Sequence, residues 1–253
     1  MKFIGFLVAL VTASYGVAQS VPLSPTTVTL PVAGVFAPEN GYDDNDTVQI
    51  VVDGILPNAC WVIDRTEAKL IGVNNDIVVQ QFARKQETEI CKDETNLPSE
   101  LRHPVNFMAE ISMGSLPEGT YNIIFSQFPE GQSKVKKFHV SKAPTTEIDS
   151  LYYAITTELT VPKVVNANSN TYNVRFVGYL SNPCSEMEDE ILHAIQHDVI
   201  VLMPKVHKFD GTCMPIAQEF TRNVTLQTPK AGRYLLQIRS ANGAAVNKLF
   251  TVR

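Results

Sequence analysis

The stretch VQIVVDGILPNAC, residues 48–60, decides the fold, because it recurs 124 positions later as YNVRFVGYLSNPC, residues 172–184. The glycine, leucine, asparagine and cysteine coincide without a gap. Apolar residues occupy every second position at the start of both copies, which is the pattern of a β-strand with one buried face. The chain is therefore expected to contain two copies of one β-rich unit.

Later features of the first copy recur in the same order in the second copy. DIVV at residues 76–79 corresponds to DVIV at residues 198–201, and GTYNI at residues 119–123 corresponds to GRYLL at residues 232–236. The alternative explanation is chance, because any two β-rich domains tend to share Gly, Pro and alternating Val or Ile. The common order of so many features favours an internal repeat instead.

The four cysteines fall at matching places in the two copies. Cys91 follows Cys60 by 31 residues, and Cys213 follows Cys184 by 29 residues. Four cysteines allow three connectivities, and the repeat selects the bridges Cys60–Cys91 and Cys184–Cys213. In the chain-entropy model, closing a loop of this size destabilises the unfolded chain by about 3 to 4 kcal/mol. Each bridge is expected to matter for stability, and neither leaves a thiolate for catalysis.

Residues 1–18 have the pattern of a signal peptide: one positive charge at Lys2, an apolar run, and the small residues Gly16 and Ala18 before the expected cleavage point. The apolar run is too short to span a bilayer, and the cleavage point lacks the cysteine of a lipoprotein. A secreted or periplasmic protein without a membrane span or lipid anchor is expected.

Helix-period patterns are scarce, and short apolar runs bounded by Gly, Pro, Asn and Asp recur along the chain. This pattern predicts an all-β fold with several strands per unit. We expect β-sandwich domains at residues 19–143 and 150–253, joined by a linker at residues 144–149 in which a proline stiffens a polar segment.

The Gly-x-Tyr sequences that begin at Gly119 and Gly232 resemble the late strands of immunoglobulin-like sandwiches. This resemblance implies two tandem immunoglobulin-like β-sandwich domains with one disulfide each. The resemblance concerns the architecture only and indicates no specific family. Antibody domains have cysteines that are farther apart and bracket a core tryptophan, whereas the single tryptophan here, Trp61, is adjacent to Cys60.

The charge of the chain argues against nucleic-acid binding. Residues 19–143 carry 10 Lys and Arg against 16 Asp and Glu, and residues 144–253 carry 10 against 10. A nucleic-acid binder needs a positive field to displace counterions from phosphates. No nucleic-acid partner is expected.

The most specific functional site that the sequence suggests is a metal site formed by His193, His197, His207 and Asp210. On a helix, His193 and His197 would lie on one face and could share a zinc ion. The repeat instead aligns them with a strand that runs into a turn at residues 74–76, and residues four apart on a strand are about 13 Å apart. No metal and no cofactor are expected.

An acidic loop at residues 42–47, YDDNDT, offers oxygen ligands of the kind that calcium prefers. The corresponding loop at residues 166–171, NANSNT, has no carboxylate. A solvated turn is therefore the favoured interpretation. Two N-glycosylation sequons begin at Asn45 and Asn223, and they matter only if the source glycosylates exported proteins.

The leading hypothesis is an exported, non-enzymatic binding or structural module with a protein or glycan partner, because tandem sandwiches commonly present recognition surfaces. It predicts an exposed apolar patch, around Trp61 or around the loop that carries Phe36 and Tyr42. A purely structural version would self-associate through edge strands.

Two alternatives remain open. A secreted hydrolase could place paired carboxylates at an interdomain groove, although the chain has no Gly-x-Ser-x-Gly motif and no catalytic residue can be assigned. An inhibitor of a secreted enzyme could use residues 96–104. That segment lies in an insertion that lengthens the interval from Cys91 to Gly119 to 28 residues, against 19 between Cys213 and Gly232.

Overall fold

The computed structural model describes residues 27–72, 74–127, 132–144, 152–209 and 211–253. The expected signal peptide and residues 145–149 of the expected linker lie outside the described residues. The described chain is all-β, as the alternating patterns predict. Its helical elements are short: α1 (Glu89–Lys92) and three single 3₁₀ turns, Glu94–Asn96, Ser99–Leu101 and Ala241–Gly243.

The first nine strands form what we call the N-terminal strand set, and they pair only with one another. Its strands are β1 (Thr27–Leu30), β2 (Val32–Phe36), β3 (Tyr42–Asp43), β4 (Val48–Leu56), β5 (Trp61–Ile71), β6 (Asp76–Lys85), β7 (Val105–Gly114), β8 (Gly119–Gln127) and β9 (Gln132–Ser141). One group is β2-β4-β7 and the other is β5-β6-β8-β9-β3, with β1 also on β6. The residue Val32 joins the two groups by pairing with Gln127 of β8.

The other ten strands form the C-terminal strand set. They are β10 (Ile155–Thr160), β11 (Val164–Val165), β12 (Thr171–Leu180), β13 (Ser185–Met187), β14 (Leu192–Gln196), β15 (Val199–Met203), β16 (Val206–Lys208), β17 (Gln218–Gln227), β18 (Gly232–Arg239) and β19 (Ala245–Val252). One sheet has the order β10-β12-β17 and another has the order β14-β15-β18-β19-β11. Strands β13 and β16 form a separate antiparallel pair.

The strand order is the same in both sets. The sheet β10-β12-β17 corresponds to β2-β4-β7, and β14-β15-β18-β19-β11 corresponds to β5-β6-β8-β9-β3. In each set the apolar side chains from both groups of strands form one buried core. The repeat in the sequence is therefore a repeat of topology.

The repeated glycine has a specific packing role in each set. Gly54 pairs with Phe107 on β7, and Gly178 pairs with Phe220 on β17. A Cβ atom at Gly54 would lie 2.0 Å from the Phe107 ring, and one at Gly178 would lie 2.0 Å from the carbonyl oxygen of Ile155. Aromatic side chains that cover a glycine on a neighbouring strand are a known device of β-sheets.

The Gly-x-Tyr sequences place a buried tyrosine that bonds back to the preceding turn. The Tyr121 hydroxyl donates to the carbonyl oxygen of Pro117 at 2.7 Å. The Tyr234 hydroxyl donates to the carbonyl oxygen of Lys230 at 2.9 Å. Each tyrosine hydroxyl thus anchors the turn that leads into β8 or β18.

The turn predicted at residues 74–76 and the matching turn at His197 are confirmed, and each joins two antiparallel strands. Asn75 and His197 have positive φ angles of 55° and 57°, and they lie between β5 and β6 and between β14 and β15. The residue-by-residue alignment of the following strands is wrong by one position. The sequence comparison aligns Ile77 with Val199. In the structure the equivalent of Ile77 is Ile200, because both side chains face the core of their own set. The turns differ in length, residues 72–75 against 197–198, so an ungapped alignment loses the register.

The two strand sets pack on each other through faces that point away from their own cores. An apolar cluster joins Phe36 and Val51 of the N-terminal set to Val199, Val201 and Leu235 of the C-terminal set. All five side chains are buried. We call this contact the junction, and it leaves β4, β15 and β18 buried on both faces.

Candidate interaction site

The structure joins Cys60 to Cys91 and Cys184 to Cys213, the connectivity that the repeat predicts. Each bridge follows the same local turn. The N–H of Cys60 donates to the side-chain oxygen of Asn58 at 2.9 Å, and the N–H of Cys184 donates to that of Asn182 at 3.0 Å. The shared asparagine therefore fixes the turn that presents the cysteine.

The Cys60–Cys91 bridge is covered by the chain that follows it. Leu97, which lies between two 3₁₀ turns, is 2% exposed and packs on the two buried cysteines. The N–H of Ala59 donates to the carbonyl oxygen of Leu101 at 3.0 Å, and the Nε of Arg102 donates to that of Leu97 at 2.5 Å. We call residues 94–104 the covering segment.

Among the described residues, none covers the Cys184–Cys213 bridge in this way. Four residues, 214–217, connect Cys213 to β17, whereas thirteen residues, 92–104, connect Cys91 to β7. Both cysteines of the second bridge are partly exposed, in contrast to the buried first bridge. The insertion noted in the sequence is thus the covering segment, and it lies on the molecule rather than protruding from it.

Large apolar side chains are exposed in the segments that flank Cys213. Phe209, Met214 and Ile216 are 56%, 66% and 54% exposed. Phe209 also lines a recess of about 450 Å³, which we call the C-terminal recess and which includes the residues on either side of Cys184. Its lining includes Leu180, Pro183, Glu186, Met187, Phe209 and Phe220. Clustered large apolar side chains on a surface mark interaction sites more often than single ones do.

The backbone at the C-terminal recess is adapted to remain uncovered. Pro183 takes the position that Ala59 has in the first copy. In the N-terminal set, the N–H of Ala59 is satisfied by the covering segment. Proline has no N–H, so the missing cover leaves no donor without a partner at this position.

Charged residues of both signs lie at the C-terminal recess, whose lining holds one carboxylate, Glu186, and one cation, Arg222. Among the described residues of β13, β16, β17 and their adjoining loops, five are carboxylates, Glu186, Glu188, Asp189, Glu190 and Glu219, and four are cations, Lys205, Lys208, Arg222 and Lys230. The ammonium group of Lys208 lies 3.4 Å from the ring centroid of Tyr152. None of the five carboxylates forms an ion pair with a described residue.

A second cavity, of about 660 Å³, lies at the junction and corresponds to the groove expected between domains. The carboxylates among its described lining residues are Glu39 and Asp198. Glu39 lies 2.9 Å from the Nδ1 of His197, and Asp198 forms an ion pair with Lys136. Both carboxylates are therefore engaged in contacts between the two strand sets.

The junction also contains ion pairs in which the carboxylate is buried. The guanidinium group of Arg233 binds Asp53 through Nε at 2.6 Å and through Nη2 at 2.8 Å. Burial raises the pKa of the Asp53 carboxyl above its ordinary value, although Arg233 acts in the opposite direction. Arg239 donates to the carbonyl oxygen of Gly41 and lies 3.8 Å from Asp46.

The expected apolar patch around Phe36 and Tyr42 is not a surface. Phe36 is 4% exposed because it packs in the junction, and Tyr42 is 2% exposed because it packs in the N-terminal core. Trp61 is only partly exposed. The apolar patch predicted at the loop that carries Phe36 and Tyr42 is therefore not there, because packing of the two strand sets buries the Phe36 side chain.

The acidic loop at residues 42–47 is held by cations of the protein. The ammonium group of Lys142 bonds to Asp44 and holds the pKa of that carboxyl below its ordinary value. Asp46 accepts from the N–H of Asp43 at 3.0 Å and faces Arg239. The loop thus fastens β3 within the N-terminal set and to the junction.

The histidines of the alternative metal site lie on different elements. His193 is on β14, His197 is in the turn after it, and His207 is on β16, while Asp210 lies outside the described residues. No group of three His, Cys, Asp or Glu residues in the described part of the chain could hold a metal ion.

The two sequons differ in accessibility. Asn223 is exposed on β17, whereas the side-chain oxygen of Asn45 is buried. Across the described ranges, no helix has the length and apolar character needed to cross a membrane.

Sequence reasoning missed the C-terminal recess and the junction. The segment after Cys213 carries Met214 and Ile216 with no charged residue between them, and this short apolar segment was the available signal for the exposed apolar side chains near the second bridge. For the junction, the signal was the uninterrupted apolar run of β15, because a strand that is buried on both faces has no alternation.

No protein-family model matches the chain, no curated protein matches it, and no solved structure matches it.

Proposed function

We propose that this protein is an exported, non-enzymatic binding module, built from two immunoglobulin-like sandwiches and acting through the C-terminal recess. The observation that carries the proposal is the group of exposed apolar side chains, Phe209, Met214 and Ile216, near a bridge that is partly exposed, whereas the corresponding bridge of the first copy is buried under Leu97.

Several features support the immunoglobulin-like architecture within this proposal. Each strand set contains a tyrosine whose hydroxyl bonds to the backbone four residues upstream, a feature of immunoglobulin-like sandwiches. Each set also contains a single bridge, and disulfides are typical of chains that mature in an oxidising compartment outside the cytosol.

The junction supports a role as a rigid carrier of the recess. It combines an apolar cluster with ion pairs such as Arg233–Asp53 and with paired hydrogen bonds between Asn40 and Gln196. A recess held on a single rigid body loses less conformational entropy on binding than one on a freely hinged unit.

The experiment is site-specific photo-crosslinking in the native compartment. A photoreactive phenylalanine analogue replaces Met214 near the second bridge, or Val164 at the opposite end of the C-terminal set; both side chains are exposed. We expect a discrete crosslinked partner from position 214 that is absent from position 164 and is lost when Phe209→Ser is added. Identical products from both positions, or none from position 214, would contradict the proposal.

A further inference from the structure

We propose that the cavity at the junction binds an extended peptide segment of a partner protein that carries carboxylate side chains. This cavity, of about 660 Å³, lies between β2, β8, β9 and the turn that joins β14 to β15, and we call it the junction groove. No described residue lines both the junction groove and the C-terminal recess. The inference therefore goes beyond the proposed function and concerns a second site.

Two strand edges at the junction groove lack a neighbouring strand in the described part of the chain. Strand β2 pairs with β4 along one edge, but along its other edge it pairs with β8 only where Val32 meets Gln127. Strand β9 pairs with β8 along its length, and its other edge meets β3 only at its last two residues. Such edges offer N–H and C=O groups to an added strand. Residues 33–36 of β2 and 134–137 of β9 line the groove, and four residues of a strand extend for about 13 Å, which suits a short extended peptide.

Side chains occupy the place of the missing neighbour on β2. The Nε2 of Gln127 donates to the carbonyl oxygen of Ala33 at 3.4 Å, and the Nζ of Lys136 donates to that of Val35 at 3.3 Å. These two carbonyl groups lie two residues apart, as do the groups along one edge of a strand. Both bonds are long for hydrogen bonds from nitrogen to oxygen. The N–H groups of an incoming peptide can therefore replace them with shorter bonds.

The charge of the junction groove determines which side chains the peptide should carry. The described lining holds four cations, Lys134, Lys136, Lys137 and Arg233, and two carboxylates, Glu39 and Asp198. Both carboxylates already form ion pairs within the protein, whereas Lys134 and Lys137 form none with a described residue. This excess of cations contrasts with the formal charge of −5 for the chain. A partner segment with carboxylates is complementary to it.

The alternation of β9 places two of these lysines on one face of the strand. Phe138 and Val140 face the core of the N-terminal set, and Lys134 and Lys136 continue the same alternation toward the open end of the strand. A neighbouring strand also directs every second side chain to one face, and opposite charges that face each other across two strands attract. A peptide with carboxylates at alternate positions therefore matches this edge.

The test measures the affinity of the intact protein for labelled octapeptides by fluorescence anisotropy. The three probes alternate threonine with glutamate, with glutamine or with lysine. We expect the glutamate peptide to bind about tenfold or more tightly than the glutamine peptide, and the lysine peptide not to bind. The affinity for the glutamate peptide should fall as the salt concentration rises.

Two matched variants locate the site. Lys134→Glu places a carboxylate in the junction groove and should weaken binding of the glutamate peptide about tenfold or more. Lys92→Glu makes the same change of charge on α1, outside the lining, and should leave the affinity unchanged. Phe209→Ser alters the C-terminal recess and should also leave it unchanged. Urea unfolding checks that each variant is folded.

A second measurement tests strand addition without any substitution in the protein. N-methylation of alternate amides removes the N–H groups along one edge of the glutamate peptide but keeps its charge. Two such peptides cover its two edges, and at least one of them should lose about tenfold or more in affinity, because added strands bind through main-chain hydrogen bonds. The unmodified glutamate peptide should also slow hydrogen exchange of backbone amides in β2 or β9.

Several results would overturn the inference. They are no binding of the glutamate peptide, equal affinity for the glutamine peptide, affinity that Lys134→Glu leaves unchanged or that Phe209→Ser lowers, and full binding of both N-methylated peptides. Tighter binding of a heparin hexasaccharide would assign the groove to a sulfated glycan instead, and self-association abolished by Lys134→Glu would assign it to a second copy of the chain. Crosslinking from Met214 tests a different surface, so the proposed function and this inference can fail independently.

Discussion

Gly178 illustrates how a single repeated residue reflects a packing demand. It has no side chain because the carbonyl oxygen of Ile155 on β10 and the ring of Phe220 on β17 occupy the space that a Cβ would need. Gly54 meets a comparable demand, but its nearest neighbour is the Phe107 ring, a side chain that can move. The same glycine is therefore more strictly required in the second copy.

Replacement of Gly178 by alanine should destabilise the protein by about 3 kcal/mol, because overpacking against backbone forces strands apart. Phe220→Ala should not rescue this loss, since the closest contact is the Ile155 carbonyl. The matched variant, Gly54→Ala, should be partly rescued by Phe107→Leu. Urea unfolding of the four variants measures these differences, and full rescue of Gly178→Ala by Phe220→Ala would contradict this account.

The tyrosines that anchor the two turns should each contribute about 1 kcal/mol through a hydrogen bond that replaces one to water. Tyr121→Phe and Tyr234→Phe remove the donors to Pro117 and Lys230. Tyr172 is the matched control, because its buried hydroxyl has no hydrogen-bond partner among the described residues. Tyr172→Phe should be neutral or stabilising in urea unfolding. An equal loss in all three variants would refute the role of the bonds.

At the scale of elements, the strands were the most predictable part of the molecule. Alternation on β4 and β12 predicted both strands, and the repeat predicted the turns at Asn75 and His197. The register after those turns was not predictable, because their lengths differ and a one-residue shift moves every side chain to the other face. The covering segment was noticed as an insertion, but packing of Leu97 on a disulfide is a tertiary contact that no local pattern encodes.

The two disulfides should differ in their rate of reduction. A thiolate must reach a sulfur atom to exchange with it, and the covering segment buries Cys60 and Cys91, whereas Cys184 and Cys213 are partly exposed. With dithiothreitol under native conditions, we expect the Cys184–Cys213 bridge to be reduced about tenfold faster or more, in keeping with its greater access.

Alkylation followed by peptide mapping measures both rates in one sample. Leu97→Ala is the informative variant, because it opens the cover over Cys60 and Cys91 without touching either cysteine. It should accelerate reduction of the Cys60–Cys91 bridge and leave the other rate unchanged. Equal rates for the two bridges in the unmodified protein would show that cover does not control access.

At the scale of the whole molecule, the junction was the least predictable feature. The outward residues Val51, Val199 and Leu235 are apolar like core residues, and one sequence does not reveal which face meets the second unit. Packing of the two strand sets on each other therefore places equivalent strands of the two repeats in different surroundings. In the N-terminal set the junction buries the outer face of β4, and in the C-terminal set it buries the outer faces of β15 and β18.

The ion pair between Arg233 and Asp53 makes the junction sensitive to pH in a defined direction. Arg233→Met removes the bonds that lower the pKa of Asp53, so the pKa, already raised by burial, should rise further. A carboxyl with a raised pKa holds its proton more tightly in the folded state. Its contribution to stability therefore decreases as the pH rises from the ordinary value of 3.8 through the raised value.

The Arg233→Met variant should thus lose more stability at pH 7, where Asp53 is charged without a partner, than at pH 4. We expect a loss of about 2 to 3 kcal/mol at pH 7, less than for a fully buried pair because the Arg233 side chain is partly exposed. Urea unfolding at both pH values measures the difference. In an Asp53→Asn background the same substitution should have an effect that does not change with pH, and a pH-dependent loss that persists there would assign the sensitivity to another group.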